Sequence, residues 1–217
     1  MNEQISKVMK SLENNNINAA YAETKEEVCK IVKNMLFKGA VITAGGSMSL
    51  KESGVWDIIS SPEYDFRDRS RQGISEEERS EAYKAAIGCD FFFCSSNAVT
   101  ENGELINVDG NANRISSIAF GPKKVVMVVG VNKLVKDIDE GLLRIKKIAA
   151  PKNAVRLNTG TPCQKLGHCI ALEKSECPAM TDGCKSPRRM CIEYLISGFH
   201  KEKGRLNIIL CGETLGY

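Results

Sequence analysis

Three stretches of the chain hold residue types at spacings that could do chemistry. The first is Val41-Ile42-Thr43-Ala44-Gly45-Gly46-Ser47-Met48-Ser49. An apolar run stops at two glycines, and a serine stands where a helix would start. Backbone N–H groups at such a turn attract an anion, and glycine lets a ligand approach closely. The turn has neither G-x-G-x-x-G nor the Lys-Ser/Thr of a phosphate-binding loop, so it is no nucleotide fingerprint. The plainer alternative is a tight turn whose serines merely cap the helix. The second stretch runs from Ser96 to Arg114 and is dense in Asn, Asp and Gly. Asn102-Gly103 predicts a type I′ hairpin turn, and Asp109-Gly110 marks a second turn. Turn chemistry accounts for Asn102, Asp109 and Gly110. It accounts less well for Glu101, Asn107, Asn113 and Arg114. These could converge as carboxylate, amide and guanidinium on a small polar ligand, since an arginine fork suits a carboxylate or a phosphate.

The third stretch holds Cys163, Cys169, Cys177, Cys184 and Cys191, spaced C-x5-C-x7-C-x6-C-x6-C. Four thiolates can close a tetrahedral zinc site or hold an iron–sulfur cluster. The spacing is irregular and lacks C-x-x-C, so reduced, unligated loop thiols are the competing reading. His168 is a weaker candidate ligand. Cys29, Cys89, Cys94 and Cys211 lie in helical or strand patterns and read as small core residues. Neither His168 nor His200 falls in the glycine turn or the Asn/Asp segment, so a histidine-based triad has no support. Arg67, Asp68, Arg69 and Arg71 make a charged patch, a solvated loop or a cover for an anionic ligand. Trp56 and Met48 read as core or pocket lining.

Positioning these groups requires an alternation of helices and strands, the pattern of a mostly parallel sheet with helices on its faces. The periodicity predicts a helix over 3–14 and a strand over 17–21. Thr24 with Glu27 makes a capping box for a helix with the stripe Val28, Ile31, Val32, Met35 and Leu36. Residues 40–43, 91–94, 125–129 and 207–210 read as buried strands. A helix carrying Leu50, Val55, Ile58 and Ile59 follows the glycine turn. Ser75 with Glu78 opens another, to about Ile87, and a further helix spans Ile138 to Ile148. Ile192 to Phe199 reads as an apolar helix. Between roughly 151 and 190 periodicity fails, and a stretch of that length with no core of its own is disordered or stapled.

The totals bound the possibilities. With 217 residues, a single domain over 1–217 with a cysteine-rich loop at 159–191 is expected. A balance of 30 basic and 27 acidic residues, net +3 and without a basic run, argues against nucleic acid. No apolar stretch approaches a membrane span, and residues 1–13 lack the apolar centre of a leader. The expected compartment is cytoplasmic, where nine cysteines point to metal or redox use more than to disulfides.

The run Thr43–Leu50, the segment Asn97–Arg114, Phe120-Gly121-Pro122-Lys123-Lys124, Gly130-Val131-Asn132-Lys133 and the tail Cys211-Gly212-Glu213-Thr214-Leu215-Gly216-Tyr217 together resemble the LUD family of lactate-utilisation proteins. The resemblance covers about residues 3–217. It implies a fold like that of ribose-phosphate isomerase, glucosamine-phosphate deaminase and the CoA transferases. It also implies a site where Gly45, Gly46 and Ser47 face Asn97, Glu101, Asp109 and Asn113, to which the convergence read above adds Asn107 and Arg114. On this reading Glu101 or Asp109 is the general base, and the protein is an oxidoreductase subunit acting on lactate or a similar small hydroxy acid. The chain shows no flavin or nicotinamide fingerprint, so electrons pass to iron–sulfur partner proteins or to the cysteine loop. The resemblance assigns Cys163, Cys169, Cys184 and Cys191 as ligands of an iron–sulfur cluster or zinc, and leaves Cys177 in an extra stretch, Ala171–Gly183. A homo-oligomer is expected. Two alternatives stay open: a non-catalytic accessory sensing redox state or metal, and an isomerase or acyl transferase on a phosphorylated or CoA substrate.

Overall fold

Each strand of the central sheet alternates its side chains between two apolar faces, and this decides the architecture. The computed structural model describes residues 2–217. Its main sheet contains β1 (Asn18–Ala22), β2 (Val41–Ala44), β3 (Asp65–Phe66), β4 (Phe91–Cys94), β7 (Lys124–Gly130) and β10 (Leu206–Cys211). They lie in the order β1-β10-β7-β4-β2-β3, and every pair is parallel. Strands from both ends of the sequence thus lie side by side. Phe92, Cys94, Val125, Met127, Val129, Leu206, Ile208 and Leu210 face one side. Phe91, Phe93, Val126, Val128, Ile209 and Cys211 face the other. Strands buried on both faces read as unbroken apolar runs, which is why the sequence reveals them.

On the first face lie α1 (Glu3–Asn14), through Ile5, Val8 and Leu12, and α6 (Asn113–Ala119), through Ile118. The second carries α2 (Lys25–Met35), α3 (Met48–Glu52) and α4 (Val55–Ile59). Ser75 and Glu78 form the expected reciprocal capping box on α5 (Glu76–Ala85). At α2, Thr24 accepts from the Glu27 N–H, but the Glu27 carboxylate reaches the N–H of Glu23 instead of that of Thr24.

A second, four-stranded sheet, β8-β5-β6-β9, comprises β5 (Ala98–Thr100), β6 (Leu105–Asp109), β8 (Leu134–Val135) and β9 (Glu193–Ser197). Its core of Ala98, Ile106, Val108 and Val135 packs on Ile145. Ile145 lies in one long helical rod: α7 (Ile138–Arg144), a π-helical stretch Ile145–Ala149, and α8 (Ala150–Arg156). α9 (Pro162–Leu166) follows.

The structure corrects four local readings. The helix expected after the glycine turn is two short helices, divided at Gly54 with φ +77°. The helix expected over Ile138–Ile148 continues through Pro151 to Arg156. A proline ring clashes with the carbonyl one α-helical turn back and offers it no N–H, and the π-helical stretch just ahead of Pro151 takes up the misfit. Ile192–Phe199 is not a helix but contains β9, the edge strand paired with β6. The Asn102-Gly103 turn is not type I′: the Gly103 N–H donates to the Thr100 carbonyl, the Thr100 N–H donates to Glu104, and only Gly103, at φ +83°, is left-handed. That is a type I turn closed by a glycine bulge.

Candidate functional site

Parallel α/β sheets bind ligands at the carboxyl ends of their strands, because loops there converge and helices begin there. In this protein the glycine turn follows β2, Ser95-Ser96-Asn97 follows β4, Asn132-Lys133 follows β7, and Gly212–Tyr217 follows β10. The Gly45 N–H is taken by the Phe93 carbonyl at 2.8 Å. The Gly46 and Ser47 N–H groups make no hydrogen bond among the described residues, and Gly46 is exposed. Ser47 caps α3 through the Leu50 N–H. With five residues, α3 has too short a dipole to hold an anion by itself.

Arg114 organises the Asn/Asp segment. Its guanidinium donates to Asp109 at 3.0 Å, the Ser95 carbonyl at 2.9 Å, the Asn97 amide oxygen at 2.7 Å, the Val108 carbonyl at 3.0 Å, and the Asn107 amide oxygen. The other Asp109 oxygen accepts from the N–H groups of Arg114 and Ile115, fixing the start of α6. Asn97 also accepts from the Val108 N–H. The buried Asn107 amide nitrogen has no partner among the described residues. With its oxygen turned toward Arg69, Asn113 accepts from that guanidinium at 2.9 Å. Arg69 also lies over the Tyr83 ring, while Arg67 pairs with Asp65 and Arg71 with Glu78, so of the charged patch Arg69 reaches this segment.

The two expected segments meet. A Cβ on Gly45 would stand 3.2 Å from Arg114 Cδ. The two expected bases do not both join them. Glu101 sits at the hairpin tip against α1, salt-bridged to Lys7 at 2.7 Å with Gln4 beside it, and that bond holds its carboxyl below the usual range. No hydrogen bond of Glu101 reaches the glycine turn. Asp109 is at the site, but both its oxygens are engaged by Arg114 and the start of α6.

Lys133 is the residue the sequence reading passed over. It is 3% exposed, and its Nζ donates to Ser49 Oγ at 2.8 Å and Ser95 Oγ at 3.1 Å. Burial, reinforced by the Arg144 and Arg114 charges, pushes its pKa down to about 7. Arg144, also buried, donates to the carbonyls of Asn97 and Asn132. Among the described residues no carboxylate forms an ion pair with either. The signal that could have found Lys133 is its place just past the carboxyl end of the most β-branched strand. At the rim, the exposed Arg156 guanidinium stands 3.8 Å from the position of a Cβ on Gly46, aimed by Asn153 and by the Tyr217 hydroxyl at 2.7 Å. The tail is tied down by the Asn132 side chain, which bonds Leu215 and Gly216.

The cysteine loop borders this site through Met190, which stands against Gly110 and accepts at its sulfur from the Asn153 amide. Cys163, Cys169, Cys184 and Cys191 share one neighbourhood, while Cys177 is exposed. Burial raises the Cys163 thiol, and the other three sulfurs add to it. Among the described residues no three His, Cys, Asp or Glu side chains are grouped as a metal site requires. Lys146 donates to the Met180 and Asp182 carbonyls. Arg189 donates to Thr181, Cys184 and Cys191. A cavity of about 580 Å³ is lined in part by Pro162, Ile170, Lys174 and Cys184. No helix among the described residues is long and apolar enough to cross a membrane.

A DUF162 family protein from Deinococcus radiodurans, 14% identical, matches with a TM-score of 0.51 over 97% of each chain. The likeness confirms the largely parallel α/β fold. A second solved structure, eIF2B beta from Chaetomium thermophilum, is 13% identical with a TM-score of 0.39, over 64% of this chain and 45% of its own. No curated protein matches the sequence. The family model described as the LUD domain matches residues 5–211, nearly the full length. The chain belongs to the LUD domain family.

Proposed function

We propose that the protein binds a small carboxylate at the strand ends and serves in lactate utilisation, as a subunit that binds or oxidises lactate or a similar hydroxy acid alongside redox partner proteins. One observation carries the binding half of this reading. Lys133 and Arg144 lie buried with no carboxylate partner among the described residues; Lys133 bonds Ser49, just past a turn with two free amides, and Arg156 stands over that turn at Gly46. Buried cations are costly unless an anion offsets them. The carboxylate would take the Gly46 and Ser47 N–H groups and the Arg156 guanidinium, with the Lys133 charge behind. LUD membership supports the lactate half.

The test is direct binding of lactate and pyruvate by calorimetry to wild type and to Gly46→Val. A Cβ on Gly46 meets nothing closer than 3.8 Å and its φ is not left-handed, so the variant folds while its side chain covers the amides. Losing a charge-assisted bond of ~1.5–3 kcal/mol weakens affinity roughly 10- to 100-fold. Equal binding by both proteins would refute the site. The engagement of both Glu101 and Asp109 favours a second reading, a binding accessory without turnover; consumption of lactate with an artificial electron acceptor separates the two. An iron–sulfur cluster or zinc at Cys163, Cys169, Cys184 and Cys191 remains part of the proposal as an electron carrier or a staple. Metal content of protein purified without oxygen tests it, and metal-free, fully active protein would remove it.

A further inference from the structure

We propose that Lys133 is a nucleophilic amine that condenses with the carbonyl of a small 2-oxo acid to form an imine, an inference that rests on the reading of the glycine turn as a carboxylate site. Geometry carries it. The Lys133 Nζ lies between two hydroxyls contributed by different strand ends, Ser49 after β2 and Ser95 after β4. The Ser49 hydroxyl already donates to the Leu215 carbonyl at 3.1 Å, so it can only accept from the amine. The Ser95 hydroxyl has only a long contact, 3.4 Å to the Ser96 carbonyl, and is free to hand a proton to or from Nζ. The two serines therefore differ in role: Ser49 orients the amine and Ser95 exchanges protons with it.

The charges facing Nζ come from every element around it. Arg114 projects from α6 and Arg144 from α7, Glu52 lies on α3, and the Cys94 thiol on β4 is held neutral by burial, with its pKa pushed up to about 12. Glu52 is engaged by the Gly216 N–H at 2.6 Å. The nearest charges to Nζ are thus mostly positive, and a lysine beside other cations in a dry site keeps its lone pair. With its pKa at about 7, about half of Lys133 is neutral at pH 7, roughly a thousandfold more than an ordinary lysine.

The step balances without a redox partner. The Nζ lone pair adds to the carbonyl carbon of the 2-oxo acid, while its carboxylate rests on the Gly46 and Ser47 amides. Ser95 relays both protons of the neutral amine, one after the other, from nitrogen to the former carbonyl oxygen. That oxygen leaves as one water, the C=O bond is replaced by C=N, and nothing is oxidised. Lys133 is 3% exposed, so only the smallest 2-oxo acids, of the glyoxylate or pyruvate kind, would reach it.

The experiment incubates the full chain with glyoxylate or pyruvate at pH 7 in sodium cyanoborohydride, which reduces an imine to a stable secondary amine. Peptide mass spectrometry then locates the adduct. Expected are preferential modification of Lys133, protection by propionate, a carboxylate with no carbonyl, and loss of that adduct in Lys133→Met. Wild-type labelling with propionate competition stands alone if that variant fails to fold. Labelling confined to surface lysines, with propionate still bound, overturns the imine and leaves the carboxylate site standing. If neither propionate nor pyruvate binds, both readings fall.

Discussion

The strand-end site and the cysteine loop are each organised by one arginine pressed against a glycine, and the two arginines are held in opposite ways. Arg114 lies against Gly45 and is locked by a buried carboxylate, one buried and one half-buried amide, and two carbonyls. Arg189 lies against Gly183 and holds only the carbonyls of Thr181, Cys184 and Cys191 and one sulfur. The first is a rigid network inside a packed sheet, in which every member depends on the others. The second is a clasp over a loop with little apolar burial, whose carbonyls could turn to water instead. A preorganised site needs the first arrangement. A loop that opens to load a metal or meet a partner is better served by the second.

Truncating each arginine should break the symmetry most strongly. Arg114→Ala leaves the Asp109 carboxylate and the Asn107 amide buried without their guanidinium partner, a cost of ~3–5 kcal/mol. Arg189→Ala exposes carbonyls that solvent can satisfy, a cost of about 1 kcal/mol, but it should speed proteolysis within 174–191 several-fold. Urea unfolding and limited proteolysis of the two variants measure both effects. Similar losses of global stability would show that the loop is as integral to the fold as the strand ends.

Lys133 supplies the next largest effect, and its sign follows from linkage. Its folded pKa of about 7 lies below the ordinary lysine value near 10.4. Between these values the unfolded chain binds the extra proton, so the stability this group contributes is fully present above about pH 10 and is lost as pH falls toward 7. Wild type should gain on Lys133→Met by up to ~1.4 kcal/mol per pH unit across that window. Below pH 7 the methionine variant should be the more stable, since a buried, unpaired cation has been replaced by an apolar chain of similar length. Denaturant midpoints at pH 7.5 and pH 9.5 give the slope. A pH-independent difference would mean that Lys133 is charged throughout and that an unseen anion balances it.

How far these features were legible depends on whether they arise from local pattern or from long-range packing. The buried strands at 91–94 and 125–129 and the Ser75 capping box are local, and they stand where the sequence placed them. That the glycine turn meets the Asn/Asp segment was legible through the family resemblance, and the contact of Gly45 with Arg114 bears it out. Glu101 was not legible: a type I turn with a glycine bulge carries it onto Lys7, and nothing near it in sequence signals that partner. In Ile192–Ser197 the apolar Leu195 interrupts the alternation of Ile192, Tyr194 and Ile196 with Glu193 and Ser197, so the period of two that marks a strand is masked and the apolar run reads as a helix. Lys133 left no composition signal, because its meaning lies in two serines far away in sequence.

The smallest effects should come from the glycines, and they sharpen the comparison because neither Gly45 nor Gly183 has a left-handed φ. Adding a methyl group is then purely a question of space. At Gly45 the new Cβ meets Arg114 Cδ at 3.2 Å and Cγ at 3.4 Å, the middle of a side chain whose tip is bonded in place. It cannot step aside without breaking the network, so Gly45→Ala should cost ~1–3 kcal/mol as overpacking. At Gly183 the Cβ meets the Arg189 guanidinium at 3.0 Å, a tighter contact, but with the far end of a side chain bonded only to loop carbonyls and a sulfur. That end can swing, so Gly183→Ala should cost less than about 0.5 kcal/mol, as at an ordinary surface position. The larger cost is thus expected at the looser contact. Contact distance alone orders the two the other way, and chemical denaturation of the two alanine variants decides between them. If Gly183→Ala is the more damaging, Arg189 is as fixed as Arg114, and the cysteine loop is a rigid platform instead of a clasp.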